Sequence, residues 1–505
     1  MEESRTKNSS KNIIFGLTNK LSTIVFPFIT RTIIIYTLGS EYIGLDSLFV
    51  SIFQVLNFAE VGFGTAIVYN MYKPIAENDN ETICQLLNLY KKVYKFIGII
   101  ITAVGLCIMP FLKYFIAGSY PQNINIYILY ILYLLNTVFG YFFYAYKASL
   151  LSAHQKDNIG GKISTELHIV VYLIQIIVLK CFKNYYIYII FLPIFTILFN
   201  LIRAHKVDQM YPDLKPQGTL KKQKLIEIKK NVIGLVGYRL EGYALTSVDN
   251  IMISSILGLV TLAHFNNYYY VISALGGLLT VCYGGITASI GNSIVTEKTE
   301  KNKQDFEFFT FLNIWLIGWC SICLICLYQN FILLWVGKDD LLPVFTMQLF
   351  AIYFFVNHMR RIVTTYRDAA GLWWYDRFRP YVIVILNVIL DYILLRSIGI
   401  NGVLISTILL SLLVSMPWEA DVLFKCYFGG RLVDYFKRIL KYVFQLIISG
   451  MLCYFVISNL SNSVFSFFIK ILLCLIVPNV AMLIMNIKNP YIVRIRVMLK
   501  NICMR

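Results

Sequence analysis

Four charged side chains stand inside stretches that otherwise have no place for charge. Residues 12–37 and 43–71 are two long apolar runs separated by the tight SEYIG break at 40–44. Each exceeds the roughly 20 residues that a helix needs to cross a bilayer core. Yet the first carries Lys20 and Arg31, and the second carries Asp46 and Glu60. A charge at mid-span costs about 2.5–3.5 kcal/mol on insertion scales and persists where it faces a bundle interior or an aqueous cavity. Eleven residues make close to three helical turns, so Lys20 and Arg31 share one face, with Pro27 and Thr30 nearby. Arg239 and Asn250 are also eleven apart and lie 219 residues further on. Two such faces would line a polar path through the membrane. The competing reading of Lys20 and Arg239 is a long snorkel to the membrane surface.

Further basic candidates are Lys147, Arg360 and Arg361; the last two point about 100° apart, so at most one faces a cavity centre. Arg367 reads as an interfacial anchor. Gln54, Asn57, Asn250 and Asn267 are the polar lining expected of such a cavity, with Asn266 and Tyr268–Tyr270 beside them. Three acids have two readings. Glu60, Asp249 and Glu241 either neutralise buried cations (Glu60 with Arg31, Asp249 with Arg239) or couple transport to a proton or sodium gradient. Asp391, Glu419 and Asp421 lie nearer span ends and read as salt-bridged or solvated. No catalytic or metal centre is expected. GxxxxGK[ST] is absent, which excludes a built-in phosphate loop, and the five histidines have no metal-ligand spacing. Cys320, Cys323 and Cys326 have the spacing of a cluster motif but sit mid-span without a fourth ligand, and read as small buried residues.

These residues must be positioned by membrane helices. The chain has 505 residues, 58% hydrophobic and only 14% charged, where a soluble domain runs near 25% charged. Fourteen spans are expected, at roughly 12–37, 43–71, 93–117, 124–151, 163–182, 185–204, 231–257, 260–291, 306–335, 341–366, 380–396, 400–424, 440–458 and 462–486. All are expected to be helices, since lipid offers no partner to an open backbone. About 30 Lys and Arg fall in alternate connections and about five in the others, which puts both termini in the cytoplasm. The same placement assigns the net charge of +18 to topology and anionic lipid, and argues against a nucleic-acid partner.

A shift of 219 residues lays Lys11-Asn12-Ile13-Ile14 on Lys230-Asn231-Val232-Ile233, Lys20-Leu21 on Arg239-Leu240, and Leu38-Gly39 on Leu257-Gly258. The fold expected is therefore two parallel six-helix repeats plus two C-terminal helices. Its parts are 1–204, a basic linker at 205–230 with an amphipathic helix, 231–424, and 425–505 with a basic tail.

The stretch GLDSLFVSIFQVLNFAEVGFGTAIVYNMYKPIAENDNETICQLLNLYKKVYKFIG at 44–98, with FITRTIIIYTLGSEYIGL before it, resembles the Wzx-type polysaccharide flippases. These belong to the superfamily that also holds multidrug extruders and lipid II flippases. The resemblance implies alternating access around a cationic cavity in a bacterial cytoplasmic membrane, with Arg31, Arg239 and Lys20 at the positions expected for it. The implied cargo is an undecaprenyl-diphosphate-linked oligosaccharide, moved to the outer leaflet for capsule, O-antigen or exopolysaccharide. Its lipid tail would stay in a gap between helices, and a polysaccharide polymerase with chain-length machinery would act next. Three other readings stand beside this one: a multidrug or cation antiporter of the same fold, a polysaccharide polymerase or ligase, and a receptor. The very short outer connections argue against an enzyme.

Overall fold

In a computed structural model, the structure describes residues 23–60, 62–226, 228, 237, 241–242, 244–460 and 463–503. The described residues are helical almost throughout and contain no strand. They form α1 (Thr23–Thr37), α2 (Ser40–Leu56), α3 (Phe63–Ala76), α4 (Asn80–Ile108), α5 (Ile126–Phe142), α6 (Ala148–Ala153), α7 (Asp157–Phe182) and α8 (Tyr185–Met210). Then come α9 (Asp249–Leu257), α10 (Leu259–Thr296), α11 (Thr299–Val336), α12 (Val344–Met359), α13 (Arg361–Ala369), α14 (Arg379–Ile398), α15 (Ile400–Leu410), α16 (Met416–Leu423), α17 (Leu432–Ser458), α18 (Val464–Met485) and α19 (Pro490–Cys503).

Eight of the described helical stretches are long and apolar enough to cross a membrane, or nine if α5 and the helix after it, bent by 49°, count as one. The expected span at 43–71 does not pass, because it is broken. Four residues of 3-10 helix, Asn57–Glu60, follow α2, and Gly62 at φ 91° turns the chain into α3. Only 22% of the apolar window is buried in α7, α8, α14 and α18, against 50% in α11. Ile385, Ile389 and Ile393 of α14, and Phe444, Met451 and Phe455 of α17, are all exposed. Such faces exceed what a protein in water tolerates and mark the lipid-facing surface of a multi-pass membrane protein.

Helix starts follow ordinary capping. The side chains of Asp79, Asn125, Asn184 and Ser463 each accept a hydrogen bond from a backbone N–H in the first turn of their helices. Gly39 (φ 112°, ψ 162°) separates α1 from α2, and Gly258 (φ 88°, ψ 174°) separates α9 from α10. These are the two glycines that the 219-residue shift superimposes, and both hold a conformation that a side chain strains.

The chain divides into two compact units, Met1–Asn266 with Pro380–Gly399, and Asn267–Arg379 with Ile400–Arg505. These boundaries differ from those expected at 204, 230 and 424. In the first unit the reason is packing: α9 lies against α2 and carries its own hairpin partner only as far as Asn266. Its core is built on Leu45, Leu48, Phe49 and Tyr130, and Tyr130 meets Phe49 at 5.6 Å and Phe53 at 4.9 Å between ring centres. In the second unit α11 is central, against α12, α17 and α18. Trp315 donates to Asn479 at 2.8 Å and Trp319 to the Cys474 carbonyl at 2.9 Å, so the C-terminal helix pair is fastened to α11.

Candidate functional site

The polar residues of the first hairpin meet those of α9 and the turn before it, all within the first unit. Residues 244–248 form one π-helical turn leading into α9. There Ser247 donates to the Gln54 amide oxygen at 2.8 Å, and Asn250 donates to Ser51 at 2.9 Å. Asn266, one helix later, donates to Asn250 at 3.2 Å. Gln54 and Asn250 were expected to line an open cavity; here they close a polar seam between helices. The approach is close because Gly44 has no side chain: a Cβ there would stand 2.2 Å from the Leu259 carbonyl oxygen.

Arg31 sits half-buried on α1, reaching the Ala263 carbonyl at 3.5 Å. Its charge acts on Asp46 of α2 and on Tyr188 of α8. Asp46 also accepts a short hydrogen bond from Tyr133. Glu60 has different neighbours. Tyr94 donates to one of its oxygens, and Tyr141 donates to the other at 2.9 Å and to Asn57 at 3.0 Å. Tyr90 donates to Tyr94 at 2.8 Å, completing a relay. Glu60 was expected beside Arg31; the acid on which Arg31 acts here is Asp46, and Glu60 is held by tyrosines among the described residues. The tyrosine signal was present at Tyr90, Tyr94 and Tyr141, but nothing in linear spacing aims two rings from two helices at one carboxylate and sets a third behind them.

The deepest acids of this unit lie elsewhere. Asp249 opens α9 and is 3% exposed; Asp391, on α14, is fully buried. Their carboxyls lie close together, and two like charges so placed disfavour each other. Asn387 stands one turn before Asp391, also fully buried, and neither of its amide atoms has a protein partner among the described residues. Asp249 Oδ1 is likewise buried without one. Oxygen-rich donors of this kind suit a hard monovalent cation or a proton. Asp391 was expected near a span end, salt-bridged or solvated, and is instead the partner of Asp249. Asn387 was overlooked; its signal was the i, i+4 pair of Asn387 and Asp391 in an otherwise apolar run.

Lys20 and Arg239 lie outside the described residues. Glu241 is described and buried. Lys147 follows the bend after α5 and is ion-paired with Asp208 at 2.5 Å, leaving it 14% exposed. In the second unit Asn267 is fully buried and belongs to the interior. Arg360 and Arg361 diverge as expected. Arg360 pairs with Glu419 at 3.2 Å, while Arg361 is exposed and stacks 5.5 Å over the Tyr283 ring. Arg367 is corrected: it is 2% exposed, not an interfacial anchor. It bonds Asp376 and Asp368, and meets Glu419 at 2.9 Å; Arg379 completes the cluster, 2.9 Å from Glu419 and 3.0 Å from Asp376. Three guanidinium groups and three carboxylates balance, which is the condition for burying them.

The second unit also contains an apolar cleft of about 850 Å³. Gly318, Ile322 and Ile325 of α11, Phe355 and Met359 of α12, and Leu446 and Gly450 of α17 are among its walls.

No protein-family model and no curated protein sequence matches the chain. Solved structures do. The lipid II flippase MurJ in an inward closed conformation is similar over 94% of this chain and 99% of its own, with a TM-score of 0.66 and 16% identity. An inward-facing multidrug resistance MATE family transporter of the MOP superfamily is similar over 81% of this chain and 98% of its own, with a TM-score of 0.61 and 13% identity. A MOP superfamily transporter from Pyrococcus furiosus covers 81% of this chain and 92% of its own, with a TM-score of 0.56 and 15% identity. These are transporters and a flippase, and the fold they have is the fold of this chain.

Proposed function

We propose that this chain is a flippase for an undecaprenyl-diphosphate-linked oligosaccharide, carrying it from the inner to the outer leaflet of a bacterial cytoplasmic membrane by alternating access. The product would supply a polysaccharide polymerase and its chain-length machinery for capsule, O-antigen or exopolysaccharide. The observation that carries the reading is the apolar cleft, one wall of which is α17 of the C-terminal helix pair. A cleft of about 850 Å³ with so few polar walls suits part of a polyprenyl chain. Support also comes from coverage: the likeness to the lipid II flippase extends over 94% of the chain and that to the MATE transporter over 81%.

In this reading Arg31, Lys20 and Arg239 hold the diphosphate, with Asn57 toward the sugar, and Arg361 is a cation that the second unit offers to the cargo. Arg360 and Lys147 leave that set, because carboxylates already occupy them. Two six-helix halves, 1–204 and 231–424, would be the moving bodies. Asp249 with Asp391 and Asn387 is the place for a coupling proton or sodium ion, by the chemistry of its donors.

A single experiment tests the proposal: reconstituted protein is given a fluorescent undecaprenyl-diphosphate oligosaccharide, and its arrival in the outer leaflet is followed. Transfer above that of empty vesicles is expected; none, with a cationic dye extruded instead, overturns it. That second outcome belongs to the multidrug or cation antiporter reading, which the buried Asp249–Asp391 pair favours.

A further inference from the structure

We propose that Cys326, Cys453 and Cys474 form a three-thiol site for a soft monovalent cation, Cu(I) by preference, inside the second unit. The three come from three helices, α11, α17 and α18, and their Sγ atoms all lie within 4.8 Å of one another. Cys453 and Cys474 are fully buried, with 3.9 Å between their sulfurs. Cys326 lies on the wall of the apolar cleft, which gives an ion a way in. The sequence motif of Cys320, Cys323 and Cys326 does not converge; only its last member joins the cluster. Cys323 and Trp319 instead donate to the backbone carbonyl of Cys474, at 3.9 and 2.9 Å, and fix the register of α18 on α11.

Small buried cysteines usually serve as packing. Packing alone gives no reason for three sulfurs from separate helices to meet at one point. The spacing does suit a metal. A metal–sulfur bond is about 2.3 Å, so an ion centred among three sulfurs holds them roughly 4.0 Å apart. The observed pair at 3.9 Å already has that separation, and the third sulfur needs to close by less than 1 Å.

The surroundings select the ion. Thiolate and thiol sulfur prefer soft metals, and a net charge in an apolar interior is costly. A monovalent ion is neutralised by one thiolate: Cu(I) forms one bond to a thiolate and two to thiols, one S–H breaks, and a single proton leaves to solvent. No electron moves. A divalent zinc ion would need two thiolates and a fourth ligand. The bound ion would join the C-terminal helix pair to α11 at the back of the cleft.

The test uses the full-length protein in detergent under reducing, oxygen-free conditions, titrated with Cu(I) held by a competing chelator. One copper per chain is expected, with three sulfur neighbours in X-ray absorption. Cys326→Ser, Cys453→Ser and Cys474→Ser should each weaken binding by about tenfold or more, and Cys107→Ser, at an exposed position, should not. A second readout needs no variant: in native membranes Ag(I) should protect Cys326, the member of the three on the cleft wall, from alkylation and leave Cys107 reactive. Equal binding by native protein and Cys326→Ser overturns the proposal. So does equal alkylation of Cys326 with and without silver, or a disulfide joining Cys453 and Cys474 in freshly alkylated membranes.

Discussion

Asp249 and Asp391, from two helices that are far apart in the chain, bring their carboxyls together in the interior of the first unit. Such a pair holds one proton and has room for one change of charge. If it couples transport to a gradient, Asp249→Asn should leave a protein that no longer accelerates when a pH or sodium gradient is imposed across proteoliposomes. Native protein should accelerate at least several-fold. Indifference of the native protein to both gradients removes the coupling role.

Removing one member of the pair outright should be felt in the fold as well. Asp391→Ala strands the buried Asp249 carboxyl, at a cost of about 1–3 kcal/mol. Asp391→Asn keeps a hydrogen-bonding group and should cost less. Thermal unfolding in detergent orders the two.

Arg31→Ala and Arg361→Ala should each cut surface polysaccharide about tenfold or more in a flippase-null strain while protein level holds. Lys147→Ala should stay near native, because its partner Asp208 is 56% exposed and a pair at such a surface contributes about 0–1 kcal/mol. Full restoration of polymer by both arginine variants would remove the cationic-site hypothesis.

The cluster around Glu419 makes a prediction about stability alone. Glu419→Gln leaves Arg360, Arg367 and Arg379 facing a neutral amide in a buried setting. Breaking a buried pair in this way costs about 3–5 kcal/mol. The expected readout is a large loss of folded protein on fluorescence size-exclusion chromatography, with Arg361→Ala as the neutral comparison.

Gly44→Ala should separate α2 from Leu259, since its Cβ would meet a backbone oxygen that has no rotamer to change. Overpacking costs about 1–3 kcal/mol. Gly140→Ala, where a Cβ meets nothing within 4 Å, should be silent. Equal thermal stability of the two variants would show that the seam is not tightly packed.

Much of this was legible in the linear chain. Apolar length and the scarcity of charge identify an all-helical membrane protein, because a bilayer leaves the backbone few alternatives. Leu38-Gly39 and Leu257-Gly258 marked two helix breaks that proved to share one backbone conformation. Charges were legible as buried, but their partners were not. Arg31 acts on Asp46, Glu60 meets tyrosines, and Arg367 enters a buried cluster in place of the membrane surface.

Periodicity tells which residues share one helix face, and it is a property of the chain by itself. Which faces meet depends on how helices pack, and packing is decided by shape over the whole unit. Thus the sequence by itself determined that Lys20, Arg31 and Asp249 need special surroundings, since charge at mid-span in an apolar run always does. Tertiary structure alone decided that Asp249 finds Asp391, that Gln54 closes a seam, and that Cys326 joins Cys453 and Cys474. Each of those meetings joins helices that only packing brings together.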